Sequence, residues 1–89
     1  TLRVGPVSID HLGETPVYLQ LAAILRDRIR AGELEIGRPL PSLPHLMQQY
    51  EISRGTAARA VRVLVDDKLV RIVPGRGAFV IAKPPKRPA

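Results

Sequence analysis

The apolar positions of this 89-residue chain change period along its length. Tyr18, Leu21, Ala22, Leu25 and Ile29 recur at three- and four-residue spacing, while Arg26, Arg28 and Arg30 fall largely outside that stripe. Such spacing predicts an amphipathic helix. Thr15 is expected to cap it, Pro16 to take the first helical position, and Gly32 to stop it in a left-handed conformation. Residues 33–41 carry Gly37, Pro39 and Pro41 and cannot form a regular helix. They predict a connection with a short strand near Leu40. Ser42 then suits the N-cap of a short helix from Leu43 to Gln49, with Pro44 tolerated in its first turn. Leu46, Met47 and Tyr50 supply its buried side.

Glu51-Ile52 predicts a tight turn, and Ser53 the cap of a third helix over about 54–67. At ~100° per residue, Ala57, Ala60, Val61 and Leu64 share one face. Gly55, Arg59 and Arg62 share the opposite one. Beyond this helix the period drops to two. Val70-Arg71-Ile72-Val73 and Ala78-Phe79-Val80-Ile81 read as two short strands around a four-residue tip, Pro74-Gly75-Arg76-Gly77. Tyr18 and Phe79 are assigned to the core. The flanks lack a period. Residues 1–14 read as a flexible arm and residues 83–89 as an extended, disordered, basic Pro-rich tail. Residues 15–82 make the domain. The fold class is mainly α with a small β-hairpin: three helices plus a two-stranded wing, the order of a winged helix-turn-helix.

Composition supports one small core. Twenty-eight of the residues are Leu, Ile, Val or Phe, about a third of the chain, above the roughly 20% typical of disordered chains. With no cysteine, disulfides, thiolate metal sites and cysteine nucleophiles are excluded. His11 and His45 lack metal-ligand spacing. Neither a bilayer-spanning apolar run nor a secretory h-region is present in the sequence, so a cytoplasmic location is expected. No cofactor is implied.

Charge sharpens the picture. The net charge is +6. Residues 1–51 hold five basic and six acidic side chains, whereas residues 52–89 hold nine basic and two acidic. An excess confined to one half points to a surface that meets a polyanion, nucleic acid ahead of an anionic membrane or a merely solvated basic face.

The third helix carries the functional argument. A helix can enter the major groove and present its first turns to base edges. Arg59 and Arg62 lie on its outer face, and the small residue Gly55 permits close approach beside Arg54 and Thr56. Ser53 and Ser42 are caps at helix N-termini, where N–H groups can bind phosphate. Arg76, flanked by Gly75 and Gly77 at the hairpin tip, can reach a minor groove or phosphate. Candidate DNA-binding residues are therefore Ser42, Ser53, Arg54, Gly55, Thr56, Arg59, Arg62, Gly75, Arg76 and Gly77.

Residues 16–80 also resemble the DNA-binding domain of GntR-type bacterial transcription regulators. The resemblance rests on Pro16-Val17-Tyr18-Leu19-Gln20-Leu21, Gly37-Arg38-Pro39-Leu40-Pro41-Ser42, Ile52-Ser53-Arg54-Gly55-Thr56, Asp67-Lys68-Leu69-Val70 and Gly75-Arg76-Gly77-Ala78-Phe79-Val80. It implies a winged helix that binds double-stranded DNA, usually as a dimer on a near-palindromic operator, with Arg54, Thr56 and Arg76 in contact roles. Two family arginines are missing. After Ser42 the family's acidic residue and arginine are Leu43 and Pro44, and Ala58 stands where the recognition helix usually carries a second arginine. Arg59, next along, is expected to compensate. The family's larger effector-binding domain has no counterpart in these residues, and so short a chain is expected to hold no small-molecule effector pocket.

The expected function is thus a sequence-specific double-stranded DNA-binding regulator, a repressor by occluding a promoter, with a possible homodimer on a palindromic operator. The alternative is a winged-helix interaction module whose basic face meets an acidic protein. An enzyme is not expected. Paired carboxylates, a Ser-His-Asp grouping, a phosphate-binding loop and a metal cluster are all missing from the sequence.

Overall fold

A computed structural model describes residues 9–84. Three helices are followed by a hairpin: α1 Val17–Arg30, α2 Leu43–Tyr50, α3 Arg54–Asp66, β1 Val70–Val73 and β2 Gly77–Val80. This is the winged helix-turn-helix expected from the residue pattern. α3 packs chiefly against α1 and more lightly against α2 and β1. Leu21, Leu25 and Ile29 from α1, Leu46 from α2, Ala57, Ala60 and Leu64 from α3, and Val70 and Val80 from the strands form the innermost core. Ala57 and Ala60 have no bulk to hold the helices apart, so α3 lies close to its neighbours.

The helix starts follow their caps, with one correction. The Ser42 hydroxyl accepts from the His45 N–H at 3.3 Å and the Ser53 hydroxyl from the Thr56 N–H at 3.1 Å, each at an N-cap. Thr15 does not cap α1; Pro16 is the N-cap residue, at φ −53° and ψ 142°. The ring presets a φ that serves just outside a helix as well as inside it, so α1 begins one residue later than expected.

The helix ends are also built locally. After α1, Gly32 takes φ +86°, its N–H reaches the Ile29 carbonyl, and the Glu33 N–H reaches the Arg28 carbonyl. This is a Schellman closure. The same closure ends α3 one residue earlier than the sequence suggested, with Asp67 as C-cap. Here Lys68 occupies the left-handed position at φ 63°, and the Lys68 and Leu69 N–H groups meet the Val65 and Leu64 carbonyls. Buried Leu69 then starts the return towards β1. Glu51, at φ 56°, makes the tight turn between α2 and α3.

The strands pair antiparallel, with Val70 opposite Val80 and Val73 opposite Gly77. The tip is therefore the three residues 74–76, not four, because Gly77 is already paired. The Arg76 N–H donates to the Val73 carbonyl, and Gly75 at φ +78° supplies the positive φ that a Pro-Gly type II turn requires. Backbone bonds from Gly37 N–H to Val80, Val80 N–H to Arg38 and Leu40 N–H to Ala78 lay residues 37–40 along the free edge of β2. Pro39 forms a bridge with Phe79, which realises the short strand expected near Leu40. Phe79 itself is half-buried and lies outside the core cluster. Alternation directs Ala78 and Val80 inward and leaves Phe79 on the face it shares with Arg71.

Both flanks are more engaged than their composition suggested. The Asp10 N–H donates to Gln20 Oε1 at 2.7 Å, and Gln20 Nε2 donates to the Asp10 and Thr15 carbonyls at 2.8 and 2.7 Å. One α1 side chain thus ties down the end of the arm, and Ile9 packs against the core. At the other end, Pro84 is buried beside Leu69, Arg26 and Asp67. The rest of the expected arm and tail, residues 1–8 and 85–89, lies outside the described residues.

Candidate nucleic-acid interface

The start of α3, the start of α2 and the tip of the wing converge on one open groove of about 540 Å³. Ser42, Arg54, Arg62, Arg76 and Gly77 line it, half of the candidate residues named from sequence. Arg54, Ala58 and Arg62 follow one another at four-residue spacing along the edge of α3. Eight residues of helix rise span roughly 12 Å. Arg76 faces this row from the wing. All three guanidinium groups belong to exposed residues, so three fixed positive charges surround one concave surface.

Apolar residues also line the groove. Leu43 and Pro44 come from the first turn of α2, Ala58 from α3, and Ile72 from β1. Ile72 lies on the core-facing side of the hairpin but is 50% exposed, because the wing projects past the end of the core. Sequence reasoning did not select these four. Leu43, Pro44 and Ala58 entered only as departures from the family's polar residues, and Ile72 only as a residue of the first short strand. The groove is as large as many small-ligand sites, larger than expected for so short a chain.

The remaining candidates sit around α3. Ser53 and Thr56 bond to each other, the Ser53 hydroxyl donating to Thr56 Oγ1 at 2.9 Å. Ser53 is thereby committed to capping. Thr56 accepts that bond and keeps its own hydroxyl proton for another partner. Gly55 is exposed, and a methyl group built there would meet nothing within 4 Å. Gly75 lies in the wing turn and does not line the groove. Arg59 is exposed but leans away from the groove: its guanidinium carbon lies 4.2 Å from the centroid of the Tyr18 ring on α1. Cation–π contacts of this kind hold arginine with its charge still open to solvent. Arg59 and Arg62, grouped together by helix angle, thus lie towards opposite edges of α3.

The basic residues of α1 are separately engaged. Arg26 pairs with Asp67 at 2.7 Å, Arg28 with Glu33 at 3.4 Å, and Arg30 with Asp27. Those pairs leave the groove side with the concentrated positive charge. Among the described residues no group of three or more His, Asp or Glu is placed to hold a metal ion. No helix among the described residues is long and apolar enough to cross a membrane.

Three helices with a wing and a basic groove between them define a winged-helix DNA-binding domain. The family model for "Bacterial regulatory proteins, gntR family" matches residues 17–80. The chain belongs to that family. It is 35% identical over 69 residues to the mannosyl-D-glycerate transport/metabolism system repressor MngR of Escherichia coli, covering 78% of this chain and 29% of that protein. It is 36% identical over 74 residues to the transcriptional repressor NagR of Bacillus subtilis, covering 83% of this chain and 30% of NagR. The chain therefore spans under a third of the length of these curated relatives. Among solved structures, YtrA from Sulfolobus acidocaldarius, a GntR-family transcription factor, superposes with a TM-score of 0.78 at 30% identity over 89% of this chain and 83% of YtrA. The DNA-binding domain of AraR in complex with operator ORX1 superposes at 0.72 and 33% identity, covering 89% of this chain and 92% of that one. The family's description is of bacterial regulatory proteins, and MngR and NagR are both repressors.

Proposed function

We propose that this chain is the sequence-reading part of a transcriptional repressor that binds a double-stranded DNA operator. The observation that carries this reading is the convergence of Arg54, Arg62 and Arg76 from two separate elements on one groove. In the proposed complex α3 enters the major groove, Arg54 and Arg62 reach base edges or flanking phosphates, and Arg76 at the wing tip meets the minor groove or phosphates. Gly55 lets the α3 backbone approach closely, and the Thr56 hydroxyl donates to a phosphate oxygen. Arg59, held on Tyr18, contacts the backbone on the other side of the helix. Bound across a promoter, the domain represses by occlusion, and two copies on a palindromic site give the operator its symmetry. Such a regulator acts in the cytoplasm, where the bacterial chromosome lies.

The test is selection from a random duplex pool, followed by fluorescence anisotropy of the selected and a scrambled duplex across a salt series. The selected duplex is expected to bind roughly 10³-fold or more tightly than the scramble, with a dyad in its sequence. Equal and steeply salt-dependent binding to both would reduce the domain to a non-specific basic surface. Absence of binding at moderate salt would favour the acidic-protein partner instead.

A further inference from the structure

The groove is lined by arginines and by apolar residues together, and a phosphate-binding surface alone does not need the apolar part. Ala58 is exposed midway along the row that starts at Arg54 and ends at Arg62. It lines the groove together with Leu43, Pro44 and Ile72. The Ala58 side chain offers no hydrogen-bond donor to a base edge, while the two guanidinium groups at the ends of its row do.

The major-groove edge of a base pair carries one apolar feature, the 5-methyl group of thymine, and alanine is a side chain small enough to meet it without pushing the helix away. We propose that Ala58 is a specificity-determining residue that selects thymine through its 5-methyl group, between positions read by Arg54 and Arg62. The arginines fit the polyanion, and the exposed alanine methyl fits the thymine methyl. This inference rests on the DNA-reading function proposed above. It adds that the missing arginine is a change of the base selected rather than a loss of contact.

The test removes the methyl alone. In the selected duplex each thymine is replaced in turn by deoxyuridine, which keeps the base pair and every hydrogen-bonding group. One replacement is expected to weaken binding of the 89-residue chain about fourfold, the effect of one buried methyl-sized group. Ala58→Gly should bind the thymine and deoxyuridine duplexes alike. Ala58→Arg, put through the same selection, should return guanine at that position, the base arginine reads bidentately. Thermal melts establish that both variants fold.

Each outcome decides something different. If the chain distinguishes no duplex from another, the DNA-reading function fails, and this assignment fails with it. If it selects a site but binds every deoxyuridine version equally, only the Ala58 assignment is overturned. A methyl effect that persists unchanged in Ala58→Gly would also overturn it, assigning the contact to another groove residue.

Discussion

At the scale of single residues, the proposed interface rests on arginines held in different ways, and the differences are testable. Arg54 stands at the first position of α3, directly after the cap, where the helix meets the groove. Arg54→Ala is expected to weaken binding to the selected duplex by roughly 1–3 kcal/mol and relax its preference at one base position. Arg76 sits on a turn outside the helix. Arg76→Ala should weaken binding to all duplexes similarly and lower the slope of log K against log salt by about one. Anisotropy titrations on several duplexes separate these two behaviours. Gly55 sets stability against function. Its surroundings leave a methyl group free of contacts within the domain, so Gly55→Ala should stabilise the fold by about 0.5 kcal/mol in urea melts. The same methyl should loosen DNA binding if the backbone must approach closely. Stabilisation with unchanged affinity would remove Gly55 from the interface. The exposure of Gly55 was legible from sequence because helix angle alone sets it opposite the core face of α3. The position of Arg59 on the Tyr18 ring was not, since it depends on which helix lies alongside.

At the scale of elements, the proposed reading surface depends on where helices begin and end. Ser53 both caps α3 and bonds Thr56. Ser53→Ala should cost about 1 kcal/mol of stability, the usual value for a lost N-cap. It should also reduce affinity, because Arg54, Gly55 and Thr56 make up the first turn that frays. Urea melts and anisotropy on one variant check both effects, and Ser53→Asp, another strong cap, should restore the stability. These boundaries were mostly readable in advance, since caps and turn residues act over three or four positions. Where local chemistry had two solutions, the reading slipped by a residue. Pro16 fits inside or just outside the helix, and Gly77 fits a turn or the first paired position of a strand.

At the scale of the whole molecule, a small core holds a large functional surface. Leu64 is fully buried, and Leu64→Ala should cost about 2–5 kcal/mol. That is a large part of the roughly 5–15 kcal/mol typical of folded domains. Chemical denaturation is expected to show this loss, whereas Arg54→Ala should lie within about 0.5 kcal/mol of the parent. A variant pair with that contrast would separate the core from the interface. The sequence by itself determined the order of helices and hairpin, the core face of α3, the caps that start α2 and α3, and the basic bias of the second half. Each depends on periodicity, backbone chemistry or charge, which act within a few residues or need no geometry. Only the tertiary structure decided that Ser42, Arg54, Arg62 and Arg76 share one groove, that Ile72 escapes the core to line it, that Arg59 turns towards α1, and that Gln20 and Leu69 hold the flanks. Those contacts join residues distant in sequence. Their positions follow from how α1, α3 and the wing pack around Leu25, Leu64 and Val80, a collective result that no local pattern encodes.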